Sequence, residues 1–225
     1  MLCIPSYHIE GYQNIVFKNP HDKNYVRDQH IFMKDVALAT SAAPTFFPIH
    51  EFDSLNHKGH HIDGGIWANN PTLVGIMEAC QHFIGPNKKY KTYDVLSVGN
   101  FKINTLKTPS NPKKYWNIWN IDTLITVIFD SNSKATEHYC SVMNSLTGGK
   151  ITRIDNRDVS PSDSKDIRFD NSNDKFLKYM KTVGKKDGTS NIMPRSEKYG
   201  ELHINRFFKM KKTYIVPYNE DQMNT

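Results

Sequence analysis

The sequence runs to 225 residues with 38% hydrophobic and 12% aromatic side chains, which suits one folded domain with a short appended lobe and excludes wholesale disorder. Its three cysteines are too few and too scattered for a disulfide framework, and no Cys-x-x-Cys pair offers a zinc knuckle. The net charge of +6 is spread over separated lysine groups instead of one basic stripe with interleaved aromatics, so nucleic acid is not an expected partner, whereas peripheral contact with an anionic membrane surface is allowed. No apolar run approaches the ~20 residues of a membrane-spanning helix, and the opening Met-Leu-Cys-Ile-Pro-Ser lacks the pattern of a signal peptide. A cytoplasmic or peripheral-membrane location is the expectation.

In chain order, residues 1–20 alternate loosely (Ile4, Tyr7, Ile9, then Ile15, Val16, Phe17) and predict two short strands broken at Gly11. Asp35 is placed to cap a helix over Val36 to Ala43, which Pro44 stops. His60-His61-Ile62 reads as a strand end closed by Asp63-Gly64-Gly65. Asn70-Pro71 then opens a helix whose apolar face carries Leu73, Ile76, Met77, Cys80, Phe83 and Ile84 up to Gly85-Pro86. Asp94 to Val98 is a buried strand running into Gly99.

A Pro/Lys/Asn-rich loop, residues 102–114, precedes the strongest helical periodicity in the chain, from Ile118 through Leu146 to Gly148-Gly149. Lys150 to Asp155 predicts a strand, 156–174 a polar loop, Phe176 to Val183 a short helix, 184–200 a loop and Thr213 to Val216 a last strand. There is no internal repeat, and strands alternating with helices in this order predict an α/β fold, a layered sheet with helices on both faces.

Two blocks carry more than secondary structure: Val36-Ala-Leu-Ala-Thr-Ser-Ala-Ala-Pro-Thr-Phe-Phe-Pro48 and Ile62-Asp-Gly-Gly-Ile-Trp-Ala-Asn-Asn-Pro71. In that order and at that distance they resemble the patatin-like phospholipases, specifically the C-terminal part of the catalytic domain. Asp94-Val-Leu-Ser-Val-Gly99 lies where that family has a strand ending Ser-Leu-Gly-Thr-Gly, although Asn100-Phe101 here replaces Thr-Gly. The resemblance implies a serine acyl hydrolase working through a Ser–Asp dyad without histidine or cofactor, on a phospholipid or other acyl-ester lipid. Asp63 is then the proton acceptor, within the motif Asp63, Gly64, Gly65.

The residues themselves allow that role. A carboxylate at a strand end, followed by two glycines, sits where backbone can approach closely. If half-desolvated, its pKa rises toward useful general-base range. An Asp-Gly turn bonding its own backbone explains the same residues without chemistry.

The family's nucleophile lies on a Gly-x-Ser-x-Gly elbow and its oxyanion donors on a glycine-rich turn. Neither occurs in these 225 residues. The chain is therefore expected to lack the N-terminal part of the fold and to have no hydrolase activity alone, with a complementary N-terminal segment as its partner. A non-catalytic remnant or interaction module is the alternative. Residues 1–155 are expected to form the C-terminal part of a patatin-like domain, and 156–225 a loop-rich extension with a short helix and a final strand.

Other constellations are weaker. His57, His60 and His61 stand near Asp63, but adjacent strand residues face opposite ways, so no metal site is expected there. Ser41 reads as helix packing and Cys80 as core. Trp116 and Trp119 beside Lys113 and Lys114 suit either a lipid-facing patch or, preferably, partly buried indoles at a loop–helix junction.

Overall fold

The computed structural model describes residues 1–53, 58–101, 121–156, 171–192 and 207. The alternating start folds as an antiparallel hairpin, β1 (Cys3–His8) and β2 (Gln13–Lys18), turning through Gly11 as the pattern predicts. Two further strands, β3 (His50–Asp53) and β4 (Lys58–Asp63), complete an antiparallel sheet of order β2-β1-β4-β3. Helix α1 (Met33–Ser41) lies against β1, β3 and β4. Phe17, Val36, Ala39 and Phe52 form the core between helix and sheet, with Ile4, Ile15 and Ile31 packed around them.

Helix α1 begins three residues earlier than the sequence predicts. The extended Phe32 backbone is its N-cap, and the Phe32 carbonyl accepts from Asp35 N–H (3.0 Å) and Val36 N–H (3.2 Å). Asp35 therefore sits inside the first turn, where a negative charge favours the helix dipole, and caps nothing with its side chain.

After β4 come a single-turn helix α2 (Gly65–Ala68) and α3 (Thr72–His82). The Asn70 Oδ1 accepts from Thr72 N–H (3.2 Å) and Thr72 Oγ1 (2.6 Å), so Asn70 does satisfy the helix start, one position before the residue at the geometric cap. The second half of the fold is a parallel pair, β5 (Asp94–Phe101) and β6 (Lys150–Asn156), with α4 (Ile121–Thr147) between them in sequence and packed on β6, α2 and α3. Its core is Ile76, Tyr93 and Cys140, with Leu73, Cys80, Val95, Met143 and Ile151 around them. Cys80 is thus partly buried and packed against this core, as its place on the apolar face predicts.

Gly148 ends α4 at φ +66°, a left-handed cap that lets its N–H reach the Asn144 carbonyl at 2.9 Å. The expected short helix at 176–183 is longer, α5 (Asp174–Ile192). Gly184 and Gly188 do not break it, because an interior glycine costs a helix only about 1 kcal/mol against alanine. Phe176 is buried and the helix rests on β6.

The α/β expectation holds, with the strands divided into an antiparallel and a parallel sheet. The loop at 102–114, His57, Trp116, Trp119 and the strand expected at 213–216 lie outside the described residues.

Candidate active site around Asp63

Asp63 is the last residue of β4, where the strand leaves the sheet. Its Cα partner across β1 is Ser6, and its N–H donates to the Ala42 carbonyl at 3.0 Å, tying the strand end to the end of α1. The Asp63 Oδ1 accepts from Gly65 N–H at 2.7 Å. Among the described residues no cation lies within ion-pair distance of this carboxylate. Burial pushes the Asp63 carboxyl above the ordinary aspartate range, and the Gly65 N–H pulls only partly the other way.

The two glycines have different reasons to be glycine. A Cβ on Gly64 would stand 2.3 Å from the Pro5 carbonyl carbon and oxygen, so the backbone of β1 occupies the space a side chain needs. A Cβ on Gly65 would meet Asp63 Oδ1 at 3.1 Å, so the bare Cα leaves the carboxylate room to accept its hydrogen bond. Neither needs glycine for a positive φ.

The turn is held on every side. Thr40 Oγ1 donates to the Pro5 carbonyl (2.6 Å), and Trp67 Nε1 donates to the Ser6 carbonyl (3.0 Å). From α4, Asn132 Nδ2 donates to the Trp67 carbonyl (2.5 Å), while Asn69 Nδ2 reaches back to the Phe129 carbonyl (3.3 Å). Both blocks singled out in the sequence, 36–48 and 62–71, therefore converge on one strand end. In the first block Thr45 has φ +72°, unusual for a β-branched residue, in a turn where the Ala43 carbonyl accepts from Phe46 and Phe47 N–H.

Other sequence candidates fall away from this chemistry. Ser41 Oγ donates to the Ala37 carbonyl (2.7 Å), the helix back-bond of a structural serine. Ser6, in register with Asp63, is fully buried and donates to the Ile62 carbonyl (2.9 Å), so no substrate carbonyl can reach it. His60 and His61 do point apart. His60 is paired with Glu10, which holds that carboxyl down to about 2, while His61 is buried between His8, Phe17 and Phe52.

A second feature was not legible as a motif. An open pocket of about 590 Å³ lies along β5, lined among others by Asn70, Thr72, Ser97, Ser133 and Arg153. Thr72 Oγ1 and Ser97 Oγ are 2.7 Å apart, and Arg153 donates to Ser97 Oγ at 2.7 Å. Among the described residues β5 pairs with β6 alone, so one edge of β5 borders this pocket, and Val98 there is 71% exposed. The only sequence signal was the family strand at Asp94–Gly99.

These strands, helices and glycine turn define an α/β protein. The family model described as Patatin-like phospholipase matches residues 7–76, which hold both blocks and the whole Asp63 turn. The chain is 28% identical over 195 residues to a protein of Escherichia coli named cGAMP-activated phospholipase, covering 82% of this chain and 53% of that one. It is 28% identical over 198 residues to a protein of the same name from Vibrio cholerae, covering 84% and 54%. Patatin-like protein 3 of Arabidopsis thaliana is 31% identical over 161 residues, 64% of this chain and 37% of the plant protein. The chain thus spans about half or less of the length of the curated relatives it matches. No solved structure matches it.

Proposed function

We propose that Asp63 is the general base of a Ser–Asp dyad that hydrolyses an acyl-ester lipid such as a phospholipid, and that the serine and its oxyanion donors come from a segment other than these 225 residues. The observation that carries this reading is the Asp63 carboxylate itself. It is half-buried, unpaired by any described cation, and aimed from a turn that Gly64, Thr40, Trp67 and Asn132 hold in place. Burial favours its protonated form, so it is basic enough to take the proton of a serine hydroxyl as that oxygen attacks the acyl carbonyl. The serine Oγ–acyl bond forms and the lipid alcohol leaves with the proton; water, giving a proton to Asp63, then attacks the acyl carbon, the acyl group leaves as a carboxylic acid, and the proton returns to the serine oxygen.

The edge of β5 that has no strand partner among the described residues is the place such a segment would dock, by adding a strand. Lipid substrates also imply peripheral membrane contact. No helix among the described residues is long and apolar enough to cross a membrane.

The test is complementation. The purified chain alone is expected to hydrolyse neither p-nitrophenyl esters nor phospholipid vesicles, because the sequence holds no Gly-x-Ser-x-Gly elbow. Co-expressed with a serine-elbow segment encoded beside it, it is expected to form a complex with esterase activity that both Asp63→Ala and Asp63→Asn abolish. Full activity in the Asn variant refutes the assignment. A tight complex that stays inactive with native Asp63 supports the second reading, an interaction module, which the open β5 edge also favours.

A further inference from the structure

Away from the Asp63 turn, the second half of α3 meets the segment that follows β2. There His21, Glu78 and His82 bring one ligand atom each to within 4.8 Å of the others, the one such group among the described residues. Glu78 and His82 are one helical turn apart on α3, so both face the same way, and His21 comes across from the loop. All three side chains are largely out of solvent, at 8%, 5% and 14% exposure for His21, Glu78 and His82.

The hydrogen bonds say which atoms converge. His21 Nδ1 lies 2.9 Å from the Asn19 carbonyl, and His82 Nδ1 lies 3.4 Å from Asp22 Oδ2. Both partners only accept, so the network puts each neutral ring's proton on Nδ1. The two Nε2 atoms, left with lone pairs, both face Glu78 Oε1, at 2.9 Å from His21 and 3.5 Å from His82. Without a metal, a proton on His21 Nε2 and the Tyr25 hydroxyl, 2.6 Å from His82 Nε2, hold these atoms together, and a divalent ion would replace those protons among the same ligand atoms. Lys18 does not fill that role, because its Nζ sits on the other oxygen, Oε2, at 2.5 Å.

We propose that His21 Nε2, His82 Nε2 and Glu78 Oε1 are the protein ligands of a zinc-class divalent ion that clamps the loop after β2 onto α3. Imidazole and carboxylate are the donor types such an ion takes, and Nδ1 bonded to a carbonyl or a carboxylate is the outer support that ligating histidines usually have. Tetrahedral ligands at zinc distances stand about 3.3 Å apart. The bonded pairs already bracket that value, and small ring rotations bring the two imidazoles together. The Tyr25 hydroxyl, 2.6 Å from His82 Nε2, is the donor nearest to hand for the fourth position. This site is independent of Asp63 and of any serine partner.

The test uses the full chain, stripped of metal and titrated with Zn²⁺ or Co²⁺ alone. One equivalent is expected to bind, with visible cobalt bands but no near-ultraviolet thiolate band, and to raise the thermal midpoint reversibly with a chelator. His21→Ala and His82→Ala are each expected to weaken binding about 100-fold and Asp22→Asn about tenfold, while His138→Ala, at an exposed position, changes nothing. Should His82→Ala lose its fold, the loop variant His21→Ala decides. Failure to bind at micromolar metal, binding undiminished by His21→Ala, or a thiolate band each overturns the proposal.

Discussion

Replacing Gly64 by alanine adds one methyl group where the Pro5 backbone already stands. The new Cβ would lie 2.3 Å from the Pro5 carbonyl carbon and oxygen, far inside van der Waals contact, and the obstacle is main chain in the middle of β1. Pro5 cannot step back alone. Its carbonyl accepts from Thr40 Oγ1 at 2.6 Å, and the next carbonyl accepts from Trp67 Nε1 at 3.0 Å. Each of those bonds is worth about 1 kcal/mol, and overpacking adds typically 1–3 kcal/mol on its own. Gly64→Ala is therefore expected to destabilise the fold by about 3 kcal/mol or more. Gly75→Ala is the internal contrast: it lies inside α3 with nothing within 4 Å of an added Cβ, so it is expected to stabilise by roughly 0.5–1 kcal/mol. Urea denaturation of the three proteins followed by circular dichroism measures both. A Gly64→Ala variant within about 0.5 kcal/mol of wild type, the usual span of an inconsequential surface change, refutes the argument that β1 and the turn share that space.

Three further outcomes are expected. Because burial raises the Asp63 carboxyl, the native state holds that proton more tightly than the unfolded chain, so its contribution to stability is present below the unfolded value of about 3.9 and is lost as pH rises through the folded one. Wild type minus Asp63→Asn should show that loss between acidic and neutral pH, and denaturation curves with no such difference count against a buried carboxylate. Thr45 is exposed at φ +72°, so Thr45→Asn, which tolerates the left-handed region, should gain about 1 kcal/mol in the same assay, and a loss would mean the Thr45 side chain holds the turn. Ile76 is 2% exposed at the centre of the second core, so Ile76→Ala should cost 2–5 kcal/mol, and a cost below about 1 kcal/mol would show that this core is loosely packed.

What was legible in the sequence follows from how local the signal was. The hairpin at 3–18, the strand into Asp63 and the helix ended by Gly148 rest on alternation, helical period and a left-handed glycine, all of which act within a few residues. The start of α1 differs from the expectation because Asp35 satisfies the composition of a cap, while the Phe32 carbonyl, accepting from Asp35 and Val36 N–H, fixes the geometry. The helix α5 runs on past the expected end at Val183, through Gly184 and Gly188, because in a helix docked on β6 the cost of two glycines is small. In the candidate site, the motif pointed to Asp63 and its glycines. The reason for Gly64, a backbone fifty-nine positions earlier in the chain, was not legible there, and neither was the His21–Glu78–His82 group, whose members lie 57 and 4 residues apart. Contacts made by topology leave no period to read.

The groups that position Asp63 all belong to this chain. Gly65 N–H fixes one carboxylate oxygen, Ala42 anchors the strand end, Pro5 presses on Gly64, and Trp67 spans from Ser6 to Asn132 on α4. None of these contacts waits for a substrate or a second segment. If Asp63 is the proposed base, its orientation is fixed before a nucleophile arrives, and that is the condition under which proximity contributes most to rate. Under the proposed reading the serine side faces the opposite situation, because β5, the strand beside which it would dock, has β6 on one edge and, among the described residues, a pocket and an exposed Val98 on the other. Under the proposed reading, the free energy of forming the active site is therefore concentrated at the β5 edge and not at Asp63. Substitutions along β5 should change how much complex forms, whereas substitutions in the Asp63 turn should change how fast a formed complex turns over.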